Sequence, residues 1–436
     1  MTGENETKEK RARGRIALSD VDLQPLGLVG GSKGLALQIC GQAIEERRAR
    51  VKKRPEKPRF SGPCGKKYQS PCLKALLVSK VTMKRRTLLK TLSVPALAAT
   101  GVLGWMSAAR ATNRYYQGPA TDHFDGVRFF SPNQPQDKGF MELLRWQLGG
   151  GRKEWPESFP SPFRDKPPAD VQGLRTVLIG HASFLIQVAG LNILIDPVFS
   201  ERASPVSFSG PKRVNPPGIA FEDLPPIHGV LITHNHYDHL DIDALGRLWQ
   251  RHRPRFVAPL GNDAIIQAEH PEIGVETRDW GGSVELGNGV IAHLEPAYHW
   301  SARGINDRRM ALWCAFVLTT PQGTIYHIGD TGFGDGRIFH AARERFGKIH
   351  LAHLPIGAYE PRWFMEPQHM NPEDAVKVFQ IVAPNQALGH HWGTFRLTNE
   401  GIEEPPHELA VAVRAAEIPP DRFRPLRPGE AWTPSG

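Results

Sequence analysis

Short apolar runs separated by turn residues dominate the chain after residue 170. Residues 177–179, Ser183–Val188 and Leu191–Ile195 read as strands, with Ala189-Gly190 as a tight turn between two of them. Residues 229–233, 291–294, 315–319 and 324–328 are further β-type runs, and Pro321-Gln322-Gly323 supplies the turn between the last two. Asn371-Pro372-Glu373-Asp374 is a helix start, with a capping side chain, a proline in the first turn and acids against the helix dipole. Strands mixed with helices, without a regular βαβ period, predict an α/β sandwich.

Charge changes the picture only once its location is known. The net charge is +9, but residues 1–82 hold 18 Lys+Arg against 8 Asp+Glu, and 83–111 add five basic residues and no acid. Residues 112–436 keep 31 basic and 37 acidic side chains, so the main body is mildly acidic and no nucleic-acid partner is expected for it. The first 82 residues read as a poorly foldable basic leader, either a tail or translated upstream sequence, rather than an arm for an anionic surface. From Met83 the order is a charged stretch (Lys84-Arg85-Arg86-Thr87-Leu88-Leu89-Lys90), a weakly apolar run to Met106, and Ala109-Arg110-Ala111. That is the layout of an export signal with a small-x-small cleavage site, and the paired arginines resemble a twin-arginine signal. The apolar run, about 15 residues broken by Pro95, Gly101 and Gly104, is short for a membrane span. The expected organisation is a leader (1–82), an export signal (83–111) with Met83 as the start, and one globular domain (112–436). The mature protein is expected in the periplasm or on the outer face of the inner membrane, and in the cytoplasm if the signal is unused.

Cys314 is alone in the main body, so any metal there must be held by histidines and carboxylates. The run 229–233 is followed at once by His234-Asn235-His236-Tyr237-Asp238-His239. Alternate residues of an extended segment point the same way, so His234 and His236 can present imidazoles to one ion. If the loop then turns, Asp238 and His239 face a second. The alternative is a polar surface loop, but the cluster sits at the end of a buried-type strand, where sites are usually built. Further donors stand at similar places: His299 after 291–294, Asp330 in Gly329-Asp330-Thr331-Gly332, and His391 in Gly389-His390-His391-Trp392-Gly393. A carboxylate at Asp330 can bridge two cations, and seven ligands leave room for a water between them.

This set resembles the metallo-β-lactamase superfamily over residues 172–400. It resembles in particular the N-acyl phosphatidylethanolamine-hydrolysing phospholipase D group. The resemblance rests on Gly180-His181-Ala182, Asp196-Pro197-Val198-Phe199, Arg202-Ala203-Ser204-Pro205, Gly210-Pro211-Lys212-Arg213, Leu224-Pro225-Pro226, 234–241, 329–332, 355–365 and His391-Trp392-Gly393-Thr394-Phe395. It implies an αββα sandwich of two mixed sheets flanked by helices. It also implies a first metal held by His234, His236 and His299, a second by Asp238, His239 and His391, and Asp330 between them. The ions implied are two divalent cations, zinc first, with manganese or iron as alternatives. Thr233 stands where that family often has Ser, and Asn371 where it commonly has Asp.

Around these ligands, Asp330 and His369 are the expected catalytic residues, His369 touching phosphate or protonating a leaving group. His181 is expected to orient a ligand, or else to be a structural histidine. Tyr237, Gln368, Trp363 and Phe364 are candidate substrate contacts, the last two as an acyl-chain wall or as ordinary core. His327 and His353, in apolar strands, read as core. The implied activity is phosphodiester hydrolysis on the headgroup side of a phospholipid, with peripheral membrane contact. The rivals are a general hydrolase of lactones or other phosphodiesters, and a metal-binding module without turnover.

Replacing Arg85 and Arg86 by Lys is expected to block export, and N-terminal sequencing of the exported protein is expected to begin near Ala111. A mature N-terminus upstream of Met83 would overturn this organisation.

Overall fold

The computed structural model describes residues 112–134 and 138–434; the leader and the export signal lie outside them. A helix, α1 (Phe140–Leu148), precedes the first strands β1 (Leu174–Gly180), β2 (Ser183–Val188) and β3 (Leu191–Ile195). There follow β4 (Gly229–Leu231), α2 (Ile242–His252), β5 (Arg255–Pro259), α3 (Asn262–Glu269) and β6 (Val275–Arg278). The second half runs β7 (Ser283–Gly287), β8 (Val290–Glu295), β9 (Ala315–Thr320), β10 (Gly323–His327), α4 (Arg337–Phe346) and β11 (Leu351–Pro355). It ends with α5 (Arg362–Met365), α6 (Pro372–Val382), β12 (Gln386–His390), α7 (Glu404–Ala415), β13 (Phe423–Pro425) and β14 (Ala431–Trp432).

Both sheets are built by one plan. The first has the order β14-β1-β2-β3-β4-β5-β6 and the second β13-β12-β11-β10-β9-β8-β7. In each, an antiparallel meander (β1 to β3, β7 to β10) gives way to parallel strands joined by helical crossovers. The pleat sorts side chains by parity. Phe184, Ile186 and Val188 of β2 pack between the sheets with Phe316 and Leu318 of β9, whereas Leu185 joins the layer beneath α2 and α3. On the other outer face, Val317, Tyr326 and Leu354 pack under α4, α6 and α7. Four layers result, the αββα sandwich expected.

The helix start at Asn371 forms as read: its side chain accepts from the Asp374 amide at 2.9 Å and Pro372 opens α6. The run 229–233 is a ladder strand only through Leu231. Ile232 still donates to Val257, but the Thr233 amide turns to the Asp196 side chain. His327 and His353 are core residues, fully buried on the inner face with His390. Phe184 stacks on His353, ring centroids 4.1 Å apart and 7° from parallel. Between the sheets, the apolar filling therefore grades into imidazoles at one end, and burial lowers His353 to about 3, so that layer is neutral.

Phe184→Ala removes the ring that separates these histidines from the apolar filling. It is expected to cost roughly 3–5 kcal/mol in a denaturant titration. A loss below ~1 kcal/mol would show that the inter-sheet layer collapses freely around the gap.

Candidate active site

Six strands run in the same sense and end on one rim, and each delivers one polar element there. His181 follows β1, Asp196 follows β3, 234–239 follows β4, His299 follows β8, Asp330 follows β10 and His391 follows β12. Sites at the carboxyl ends of strands are the rule for α/β sheets, because loops there are free of ladder constraints.

After β4 the amides of His239 and Leu240 both donate to the His236 carbonyl, at 3.0 and 2.8 Å. This tight turn splits the six-residue run into two groups. His234 Nε2 and His299 Nε2 lie 3.0 and 3.2 Å from His236 Nδ1, which makes a three-nitrogen cradle. On the other side, His239 Nε2 and His391 Nε2 each lie 3.6 Å from Asp238 Oδ2. Asp330 reaches both groups: its carboxylate is 3.1 Å from His391, 3.3 Å from His239, 3.7 Å from His299 and 3.9 Å from His234. His239 Nε2, His391 Nε2 and Asp330 Oδ1 are buried and form no well-shaped hydrogen bond. Donor atoms that converge without satisfying one another fit divalent cations.

Further residues aim these donors. His239 Nδ1 donates to Asp196 Oδ2 at 2.7 Å, which turns its Nε2 lone pair toward the site. Thr233 fixes that carboxylate through its amide (2.7 Å) and hydroxyl (2.5 Å). His299 Nδ1 donates to the Gln368 carbonyl at 3.1 Å, and His181 Nε2 donates to Asp238 Oδ2 at 3.0 Å. Gly329 has φ +67°, and a Cβ there would come within 3.0 Å of the Thr233 side chain, so the turn that presents Asp330 needs glycine. Burial drives His236 down to about 4 and His299 to about 3, which leaves both neutral near pH 7 with lone pairs available. Burial would lower His391 too, but Asp330 and Asp238 outweigh it and hold it at about 9. Both carboxyls stay well below their usual range: burial opposes ionisation, but His391 and His239 beside Asp330, and His239 and His181 beside Asp238, overcome it.

The other expected residues divide. His369 stands beside the ligands, its ring 5.1 Å from that of His299 and Nδ1 3.9 Å from Asp330. Gln368 contributes through its backbone carbonyl, while its amide nitrogen is 3.7 Å from Met365 Sδ. Tyr237 gives its hydroxyl to the Arg303 carbonyl at 3.0 Å, with the Arg303 guanidinium 3.9 Å above its ring. Phe364 is buried and stacks on Trp146 at 5.0 Å, and Trp363 is half-exposed on α5. These last three are not gathered around the ligand atoms. Sequence reasoning gave no role to Asp196 or to Arg303, whose Nη1 donates to the Asn235 and Leu240 carbonyls (3.1 and 2.8 Å) and braces both ends of the ligand loop. A carboxylate closing the apolar run of β3 was a usable signal for Asp196; Arg303 carried none.

Two mixed sheets whose strand ends gather histidines and aspartates define a metal-dependent hydrolase. The chain belongs to the metallo-β-lactamase superfamily, and its residues 191–392 match the beta-lactamase superfamily domain. It is 37% identical over 274 residues to N-acyl-phosphatidylethanolamine-hydrolyzing phospholipase D 1 of Caenorhabditis elegans, which covers 60% of this chain and 76% of the nematode protein. The mitochondrial enzyme of the same description from Saccharomyces cerevisiae is 36% identical over 226 residues, 51% of this chain and 48% of the yeast protein. A UPF0173 metal-dependent hydrolase of Pyrobaculum neutrophilum is 32% identical over 237 residues, 54% of this chain and 90% of that protein.

Asp330→Ala is expected to lower the metal retained after dialysis, measured by elemental analysis, and to abolish hydrolysis. Full metal content in that variant would remove the carboxylate from the ligand set.

Proposed function

We propose that the protein is a phosphodiesterase that hydrolyses N-acyl phosphatidylethanolamine to phosphatidic acid and an N-acylethanolamine, using two divalent cations, zinc first. The observation that carries the two-cation part is the position of Asp330, within 3.9 Å of nitrogens from both donor groups, with His369 alongside. The two named phospholipase D relatives supply the substrate class.

Cations held by His234, His236 and His299 and by Asp238, His239 and His391, with Asp330 reaching both groups, would supply Lewis acidity to the phosphoryl oxygens and acidify a water. Water adds to phosphorus and gives up a proton while the bond from phosphorus to the N-acylethanolamine oxygen breaks, and that oxygen takes up one proton, so the two balance. Asp330, ionised and central, accepts a hydrogen bond from the attacking water and orients it. Burial, reinforced by His299 and His391 against the pull of Asp330, keeps His369 well below the usual histidine range. A neutral ring is a poor proton donor but a good N–H donor, so of its two expected roles the phosphate contact is the one its setting favours.

Metal-loaded protein offered long-chain N-acyl phosphatidylethanolamine, a soluble chromogenic phosphodiester and a panel of lactones is expected to release phosphatidic acid fastest, with two metal ions per chain. Lactone turnover without phospholipid turnover would hand the case to a general hydrolase, and one ion per chain would end the binuclear reading. His369→Ala is expected to slow lipid and soluble diester alike by roughly 10²–10³-fold in kcat/KM with metal retained, since the phosphoryl oxygen is common to both.

A further inference from the structure

Helix α1 is folded with its apolar stripe turned outward. Met141, Leu144 and Leu148 recur at helical spacing and are 69, 38 and 77% exposed, Leu143 on the other side is 38% exposed, and Trp146 packs down. Scattered exposed leucines need no explanation, but a contiguous stripe on one short helix marks a surface that something covers.

Three observations identify what covers it. The first is charge: residues 138–152 hold Lys138, Arg145 and Arg152 against Glu142 alone, while Lys153 pairs with Glu404, within a main body of 31 basic and 37 acidic residues. The second is aromatic. Arg145 lies 4.9 Å over the Trp363 ring, Arg152 lies 4.9 Å over Trp146, and Trp363 is 39% exposed beside the stripe. Half-wet indoles among cations and exposed aliphatics are the composition of an interfacial helix. The third is place. Trp146 stacks on Phe364 of α5, and the chain leaving α5 carries Gln368 and His369, so α1 is one packing contact from residues that touch the metal ligands.

We propose that α1 lies in the plane of a lipid bilayer with anionic headgroups, its Met141, Leu144 and Leu148 stripe immersed and its arginines at phosphate level. This rests on and deepens the reading of the enzyme as a phospholipid hydrolase, since it sets the site entrance beside the surface that holds the substrate. The segment 83–111 would be a poor cover, for its five basic residues and no acid share the sign of the patch. A second copy of α1 would meet the same repulsion.

The test uses the full chain and the double variant Leu144→Asp, Leu148→Asp, both metal-loaded. Each is sedimented with phosphatidylcholine vesicles with and without phosphatidylglycerol. The wild type is expected to pellet with the anionic vesicles, less so at high salt. The variant is expected to bind them at least about tenfold more weakly, with metal content and soluble-diester hydrolysis unchanged. The basic leader is common to both proteins, so the difference reports α1. Equal vesicle binding by the two proteins would overturn the proposal, as would a wild-type dimer that the variant dissolves in light scattering. Vesicle binding without phospholipid turnover would leave the docking helix standing while the proposed substrate falls.

Discussion

The constraint on which the rest of the structure depends is the gathering of three buried aspartates and seven histidines, five of them buried, within a few ångströms at one end of the sandwich. Taking a carboxylate out of water costs several kcal/mol, even after relaxation, unless charges and hydrogen bonds replace the lost hydration. Asp330 is 3% exposed and Asp196 fully buried. Each survives there because histidine nitrogens, and for Asp196 the Thr233 amide and hydroxyl, stand in for solvent. Cations at the two donor groups would complete that replacement. An arrangement of this kind tolerates little positional error, which explains why its members hang from the ends of ladder-paired strands and not from one long loop.

The doubled sheet plan makes the precision attainable. Each sheet contributes three of the six strand ends, so the donors meet across the inter-sheet gap, where packing of Phe184, Phe316 and Leu318 fixes the distance between layers. The neutral histidine layer of His327, His353 and His390 lies between that apolar filling and the ligands. Imidazoles there keep polar volume next to the site without adding charge.

How far the sequence revealed this follows from what kind of contact each residue makes. The 234–239 run was legible because five of its features are local: a buried strand, alternation, a turn, and two donor types in order. His299, Asp330 and His391 were legible as donors at strand ends, and their grouping came from a resemblance. Asp196 and Arg303 escaped because their roles exist only across sequence gaps of 43 and 63 residues or more, to His239 and to Leu240 and Asn235. Tyr237 and Phe364 were read as candidate substrate contacts, Phe364 equally as core; the hydroxyl of the first donates to the Arg303 carbonyl and the ring of the second stacks on Trp146. Strands β6 and β7 were missed because they are sheet edges that carry Glu276, Arg278 and Glu285, so apolar continuity breaks there.

A donor set of this kind can serve the attack of water on phosphorus or on carbonyl carbon, so substrate choice has to be sought outside it. The segment that follows β11 links the donor groups to the surface. There α5 takes the stack of α1 on one side, and on the other its chain returns as Gln368 and His369. The Gln368 carbonyl orients His299, so a displacement of α5 would be felt at one of the candidate metal donors through one hydrogen bond. Arg362 ties the same turn down, donating to the His369 carbonyl at 2.9 Å and to Asp374 at 2.7 Å in the first turn of α6. The surface helix and the donor groups are thus joined by a short chain of contacts, a ring stack on one side of α5 and hydrogen bonds on the other.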